Sequence, residues 1–292
     1  MHASVSNTGS RLRLGHEASA RVAGTRTVSQ SYKSTPQMPY LESPGNRTGR
    51  GYANLRNDGP ASVRDVWSWN LEEEFAVIRE SLVEYPFVAI ASASPGVVAR
   101  PIGAFRSTSS YQFTVVKTNV DLLKIIQFGL TLLNKNGRPR PGVSTWQFNF
   151  HFSLNDDMYS QEGVDLLQES GIQFERLEEE GVSVFEFAEL LLTSGLVLND
   201  GIKLVSFNSG YDFAYLLKLL TRSELPGDEE AFYAQLHVYF PCVYDVKFLM
   251  KSCRGLKGEL PQVSREAGNL RPTDLVFATS CAVTGGRRLL SS

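Results

Sequence analysis

The feature that most constrains the fold is a stretch in which large aromatic side chains occupy every second position. Between residues 144 and 152 aromatic and polar side chains alternate, and the aromatic ones are Trp146, Phe148, Phe150 and Phe152. Because successive side chains of a β-strand point to opposite faces, this pattern predicts a strand with one aromatic face in a core. An apolar run at 125–133 and a Pro- and Gly-rich turn at 136–142 complete a predicted hairpin.

Helical and strand patterns flank this hairpin. Asn70 and Glu73 have the spacing of a capping box at the start of a helix. Regular structure is therefore predicted to begin at Asn70, with a helix that ends before Pro86. A buried strand is predicted at 87–91 and another at 203–207, with helices at 162–169, 185–193 and 211–220. A hairpin followed by strands that helices separate predicts the α/β class, a mixed central sheet covered by helices.

The first 64 residues have a different composition from the rest of the chain. They contain nine basic and three acidic residues, a local charge of +6 that leaves −8 for the remainder. Ser, Gly, Thr and Pro fill this stretch without apolar periodicity, so burial cannot offset its ordering entropy. We therefore predict a disordered basic tail over residues 1–62. An Arg- and Ser-rich, acid-poor start is also typical of organelle transit peptides, which stays open as an alternative.

Composition excludes several classes of protein. A net charge of −2 argues against a protein that coats nucleic acid through many basic residues, so any RNA contact is expected to be local. Three cysteines without a C-x-x-C pair fit neither a disulfide framework nor a thiolate zinc site, which favours a reducing intracellular compartment. The sequence contains no run of about 18 apolar residues, so no membrane-spanning helix is predicted. The acidic runs 72–74 and 178–180 are interpreted as solvated faces.

Six segments resemble one family of nucleases in order and spacing. They are 95–101 (PGVVARP), 119–126 (NVDLLKII), 144–150 (STWQFNF), 209–213 (SGYDF), 244–252 (YDVKFLMKS) and 255–258 (GLKG). By these segments the chain resembles the Caf/Pop-type poly(A) ribonucleases, the smaller nuclease subunit of the CCR-NOT complex. The resemblance covers residues 63–263 as one domain and leaves 264–292 as a divergent, truncated C-terminal segment.

The resemblance implies an RNase H-like fold of the DEDD exonuclease type that shortens mRNA poly(A) tails from the 3′ end. In such enzymes four carboxylates hold two divalent ions, expected to be Mg²⁺, about 4 Å apart. It also implies three partners, which are the CCR-NOT scaffold subunit, the second nuclease subunit and poly(A) RNA. The expected location is cytoplasmic and nuclear.

The carboxylates that the resemblance implies are mostly missing. Ala91 and Ala93 occupy the positions of the family's strand Asp and Glu, with Ser92 between them on the opposite face. Asp212 matches the third carboxylate, although Asn208 replaces the histidine of that motif. The fourth has no match in the segment 264–274. Asp212 is thus the one retained carboxylate and a candidate metal ligand, and three of four are expected to be absent.

Three interpretations remain open at this point. A chain without the strand carboxylates cannot hold two ions as a pair, which favours a catalytically impaired protein kept as a fold or binding subunit. An active poly(A)-specific exoribonuclease would need substitute ligands, for which Glu259, Glu266 and Asp274 are candidates. A degenerate gene product with a damaged reading frame would show neither activity nor stable folding.

Overall fold

The computed structural model describes residues 62–251. The predicted tail and transit-peptide alternative, and the candidate ligands Glu259, Glu266 and Asp274, lie outside the described residues. The strands are β1 (Ser62–Val66), β2 (Phe87–Ala93), β3 (Gln127–Leu133), β4 (Val143–Asn149), β5 (Lys203–Ser206) and β6 (Val243–Asp245). The helices are α1 (Leu71–Ser81), α2 (Thr108–Leu122), α3 (Gln161–Glu169), α4 (Phe174–Glu180), α5 (Val184–Thr193), α6 (Gly210–Thr221), α7 (Glu229–Tyr239) and α8 (Val246–Met250).

The strands form one mixed sheet in the order β1-β4-β3-β2-β5-β6. β3 and β4 pair antiparallel, with Leu130 opposite Trp146, which confirms the predicted hairpin. β2 pairs antiparallel with β3 and parallel with β5, and is therefore a central strand. The predicted α/β class with a mixed, helix-covered sheet is confirmed.

The two faces of the sheet are buried in different clusters. On one face the even-numbered β2 residues Val88 and Ile90 join the main core with α1, α2, α5 and α6. On the other face Ala91 and Ala93 pack with residues of α3 and α4. Trp146, Phe148 and Phe150 are fully buried in the main core, as their alternation predicted. Phe152 is also fully buried but lies in the second cluster, beyond the end of β4 at Asn149.

The beginning of the domain differs from the prediction in three ways. Regular structure starts at Ser62 with β1 and a short 3₁₀ turn (Ser68–Asn70), not at Asn70. The predicted capping box is wrong, because the Asn70 side chain accepts the Trp67 N–H at 2.8 Å instead of capping α1. Glu74 is not solvated: it is buried, accepts the Trp146 indole N–H at 2.8 Å and pairs with Arg64 at 3.3 Å.

Helix α2 is the longest element that the sequence pattern did not predict. Its first turns are rich in Ser and Thr, which favour caps and turns over helix interiors, and its apolar stripe is weak. The Ser107 side chain caps it by accepting the Ser110 N–H at 3.1 Å. Within residues 62–251 no helix is long and apolar enough to cross a membrane.

Candidate functional site

Asp212 lies in the first turn of α6, directly after β5 and the turn at Asn208. Asn208 adopts a left-handed conformation with φ 62°, which asparagine tolerates better than most residues. The carboxylate of Asp245 holds this turn by accepting the backbone N–H groups of Asn208 (3.2 Å) and Ser209 (3.0 Å). It also accepts the Ser209 hydroxyl at 2.7 Å. The turn that presents Asp212 is therefore fixed from β6.

Both oxygens of the Asp212 carboxylate are already hydrogen-bonded within the protein. Oδ1 accepts the backbone N–H of Ser92 at 2.7 Å and its hydroxyl at 2.5 Å. Oδ2 accepts the hydroxyl of Ser206, at the end of β5. The side chain thus fastens the start of α6 to the ends of β2 and β5.

Burial dominates the electrostatics of this carboxyl group. Asp212 is 8% exposed, and burial raises its pKa from the ordinary 3.8 to about 6. Hydrogen bonds from Ser206 and Ser92 oppose the rise, whereas the nearby charge of Asp245 adds to it. The protein therefore holds Asp212 in surroundings that favour its neutral form more than water does.

The two alanines of β2 flank Ser92, whose backbone N–H and hydroxyl both donate to the Asp212 carboxylate. Ala91 pairs with Gly129 and Ala93 with Gln127 on β3, and both alanines pack against the second apolar cluster. Ser92 between them points to α6, as strand alternation predicts. The structure thus brings Asp212 beside Ser92 and places only methyl groups at positions 91 and 93.

The described residues do not fit a pair of divalent ions. Magnesium takes oxygen ligands, and two-ion sites depend on carboxylates that are shared or adjacent. Residues 62–251 contain no group of three or more His, Cys, Asp or Glu side chains placed to hold a metal ion. The hydrogen bonds from Ser92 and Ser206 already occupy three of the roughly four acceptor positions of the Asp212 carboxylate.

Sequence reasoning missed the side chains that support Asp212. Ser206 and Asp245 stand in segments that the resemblance or the strand pattern picked out, yet neither residue type there signals a role. A serine two residues before the turn of a strand–turn–helix unit was the available signal for Ser206. For Asp245 the signal was an aspartate three residues before Phe248, whose N–H it caps at 3.2 Å.

Asn119 fixes the loop that follows β2. It is fully buried, and its side-chain oxygen accepts the N–H groups of Val98 (2.8 Å) and Ala99 (2.9 Å). Its amide donates to the carbonyls of Ala99 (2.7 Å) and Val115 (2.8 Å). This loop carries Arg100, whose charge acts against the burial that raises the pKa of Tyr211 to about 12. Asn119 therefore holds in place the loop that brings the charge of Arg100 near Tyr211 of α6.

The sequence is similar to a known family of ribonucleases. The model of the CAF1 family ribonuclease matches residues 66–190 and 189–273. The chain is 48% identical over 205 residues to the fission yeast (Schizosaccharomyces pombe) Poly(A) ribonuclease pop2, a match that covers 69% of this chain. That match spans 61% of the pop2 protein. Probable CCR4-associated factor 1 homolog 7 of Arabidopsis thaliana is 46% identical, with 71% of this chain and 78% of that protein covered.

Solved structures of CAF1 and Pop2 proteins resemble this structure as well. The S. pombe Pop2p structure in its Mg²⁺- and Mn²⁺-bound form matches with a TM-score of 0.70 and 42% identity, over 76% of this chain and 90% of that one. Yeast CAF1, co-crystallized with the NOT1 MIF4G domain, matches with a TM-score of 0.64 and 32% identity, over 81% and 91%. The fold is that of an RNase H-like nuclease, with a mixed six-stranded sheet and helices. The chain belongs to the CAF1 ribonuclease family, whose members include the Pop2 poly(A) ribonucleases.

Proposed function

We propose that this protein is a CAF1-family member that has lost two-metal nuclease chemistry and acts as a binding subunit of a CCR-NOT assembly. The observation that carries the proposal is the state of Asp212. Its two oxygens are held by Ser92 and Ser206, and no carboxylate stands at Ala91 or Ala93 to share an ion with it.

The physical reason is that two-metal hydrolysis depends on clustered negative charge. One ion activates the attacking water and the other stabilises the leaving oxygen, and enzymes in general lower their barriers by about 8 to 23 kcal/mol. A single buried carboxyl group with a pKa of about 6 provides neither the charge nor the spacing for two ions. Any poly(A) RNA that the protein binds would therefore not be shortened.

An assay on A-tailed RNA tests the loss of chemistry. With Mg²⁺ or Mn²⁺ we expect the full chain to shorten the tail no faster than a protein-free blank, and Asp212→Ala to leave that rate unchanged. Metal-dependent shortening that disappears in Asp212→Ala would overturn the proposal and favour an active enzyme with substitute ligands. Glu259→Ala, Glu266→Ala and Asp274→Ala would then identify which of those residues serve.

The proposed partner is the CCR-NOT scaffold, as the NOT1 complex of yeast CAF1 suggests. Helix α5 carries Phe185 and Leu192 on one face, seven residues apart, and both are exposed, at 52% and 42%. The following turn adds Leu198, which is 62% exposed. Adjacent exposed apolar side chains of this kind mark protein-binding surfaces. The second nuclease subunit, which the family resemblance also implies, is proposed as a further partner.

Binding to a NOT1 MIF4G domain tests the partner. We expect Leu192→Glu to weaken binding at least about tenfold, since a charge would be buried in an apolar contact. Leu166→Glu is a matched control, because Leu166 is 54% exposed on α3, a helix that packs in a different cluster. Failure of the unmodified chain to bind, or equal binding by Leu192→Glu, would contradict this surface.

A further inference from the structure

Trp69 is a tryptophan that stands largely in solvent yet is held in one place. Its side chain is 68% exposed on the 3₁₀ turn before α1, and its indole N–H donates to Glu180 Oε2 at 3.2 Å. Large apolar side chains in soluble proteins are usually buried, and a fixed, exposed aromatic ring is typical of an interaction surface.

The neighbouring tryptophan shows which kind of group fits such a ring. The guanidinium of Arg176 lies 3.9 Å from the centre of the Trp67 ring and donates to the same Glu180 Oε2 at 2.9 and 3.2 Å. Arginine over tryptophan combines cation–π attraction with a planar stack, and the carboxylate satisfies its donors. Trp69 shares this carboxylate, yet within residues 62–251 no cation lies over its ring.

The charge around Trp69 favours a basic partner. Glu72 and Glu73 are exposed in the first turn of α1, three and four residues after Trp69 in sequence. Glu179 adjoins Glu180, and hydrogen bonds from Arg176 and Trp69 lower the pKa of Glu180, which keeps it ionised at neutral pH. An exposed aromatic ring with acidic side chains close to it in the chain is suited to an arginine-bearing segment.

The same chain contains such an arginine-bearing segment, shortly before Trp69 in sequence. Residues 1–61 contain three acids and eight basic residues, which are Arg11, Arg13, Arg21, Arg26, Lys33, Arg47, Arg50 and Arg56. Arg56 and Arg50 precede Ser62 by six and twelve residues, a reach of roughly 20 and 40 Å at about 3.3 Å per residue. β1 spans only about 16 Å before the turn that carries Trp69. The tether therefore gives these arginines a high effective concentration at Trp69.

We propose that the basic segment 47–56 docks onto the Trp69 surface of its own chain, with an arginine over the exposed face of the ring and Glu72 and Glu73 pairing with its neighbours. The Trp69 surface is defined here as Trp69, Glu72, Glu73, Glu179 and Glu180. This contact does not depend on nuclease activity or on the scaffold, so it is tested independently of the proposed function.

The indole N–H signals of the full chain test the contact. The three tryptophans give three such NMR signals, and Trp69→Phe identifies the one from Trp69. We expect this signal to move in the variant Arg47→Glu/Arg50→Glu/Arg56→Glu and to move in the same direction when salt is added. The matched variant Arg11→Glu/Arg13→Glu/Arg21→Glu changes the net charge equally and is expected to leave the signal in place.

Tryptic cleavage supplies a second readout on the same protein. We expect Trp69→Ala and Glu72→Lys/Glu73→Lys to speed cleavage after Arg50 and Arg56 by at least about threefold, as the loss of a surface cation–π or charge contact implies. Glu186→Lys/Glu189→Lys, on exposed positions of α5, makes the same charge change and should have no such effect. An unmoved Trp69 signal in the segment 47–56 variant would overturn the proposal. So would a signal that shifts on dilution, which would indicate docking between copies.

Discussion

β2 contributes to two neighbouring regions that differ in what holds them together. Val88 and Ile90 enter a core of interlocking apolar side chains, whereas Ser92, two residues further on, donates to the Asp212 carboxylate of the candidate site. The comparison indicates that burial of apolar surface contributes more to specifying this fold than the few polar contacts at the end of β2 do.

The aromatic side chains around Phe187 show how closely the apolar region is packed. Its ring lies 5.0 Å from the rings of both Phe148 and Phe150, 5.5 Å from that of Phe75 and 5.9 Å from that of Phe128, mostly edge to face. Phe187, which is on α5, therefore contacts both the hairpin and α1. Its contribution to stability can be compared directly with that of Asp212.

The largest effect is expected from Phe187→Ala. Removing a fully buried phenyl ring takes away its transfer free energy and leaves a cavity, so the free energy of unfolding should fall by about 3 to 5 kcal/mol. Equilibrium unfolding in urea measures the change. Phe185→Ala on the same helix is the matched control, because that ring is 52% exposed and contacts Arg222 at 4.1 Å. We expect it to cost less than about 1 kcal/mol; equal costs would contradict the core assignment.

The next effect is a pH dependence that Asp212 should impose. Its pKa is about 6 in the folded protein and 3.8 ordinarily, so the folded state binds more protons between these values. Its contribution to stability is therefore full below about pH 4 and is lost as the pH rises through 6, by up to about 3 kcal/mol. The stability of the unmodified protein relative to Asp212→Asn should fall accordingly between pH 4 and pH 7.

The sign of this pH dependence separates the two interpretations of the site. A carboxylate held ionised by a cation or by strong donors would have a depressed pKa, and stability would instead rise with pH over that range. Unfolding of both proteins in buffers from pH 4 to 7.5 distinguishes the two. A rising difference would show that the site favours the charged carboxylate, and a flat one that folding leaves this pKa unshifted; either would contradict the prediction.

Sequence patterns predicted the apolar region well because period and burial are coupled there. The helical spacing after Leu71 predicted one buried face, which α1 has. The alternation at residues 146–152 predicted buried aromatic side chains, and all four are buried, although Gln147 and Asn149 on the other face of β4 are buried as well. Helix α2 has Ser and Thr in its first turns and a weak apolar stripe, so its stability comes from contacts with α6 that are distant in sequence.

The candidate site could be predicted only in part. The resemblance located Asp212 and the two alanines, but the partners of Asp212 come from three separate strands. Ser92 and Ser206 lie 120 and 6 residues from Asp212 in sequence, and Asp245 acts through the turn at Asn208. Serines are common at strand ends for many reasons, and hydrogen bonds across such separations leave no periodic signal.

The smallest effect, and the most specific, is expected from Ser206→Ala. Removing this donor takes a hydrogen bond from the charged form of Asp212, so the pKa should rise further and unfolding at pH 7.5 should become easier by about 1 to 2 kcal/mol. At pH 4.5, where Asp212 is mostly protonated in the folded state, the cost should be clearly smaller. Ser194→Ala is the matched control, since Ser194 is buried but bonds only backbone groups, at 2.7 and 3.1 Å. Its cost should not change with pH. If the cost of Ser206→Ala were equally constant, Ser206 would be a packing residue and not a partner of an ionising carboxyl group.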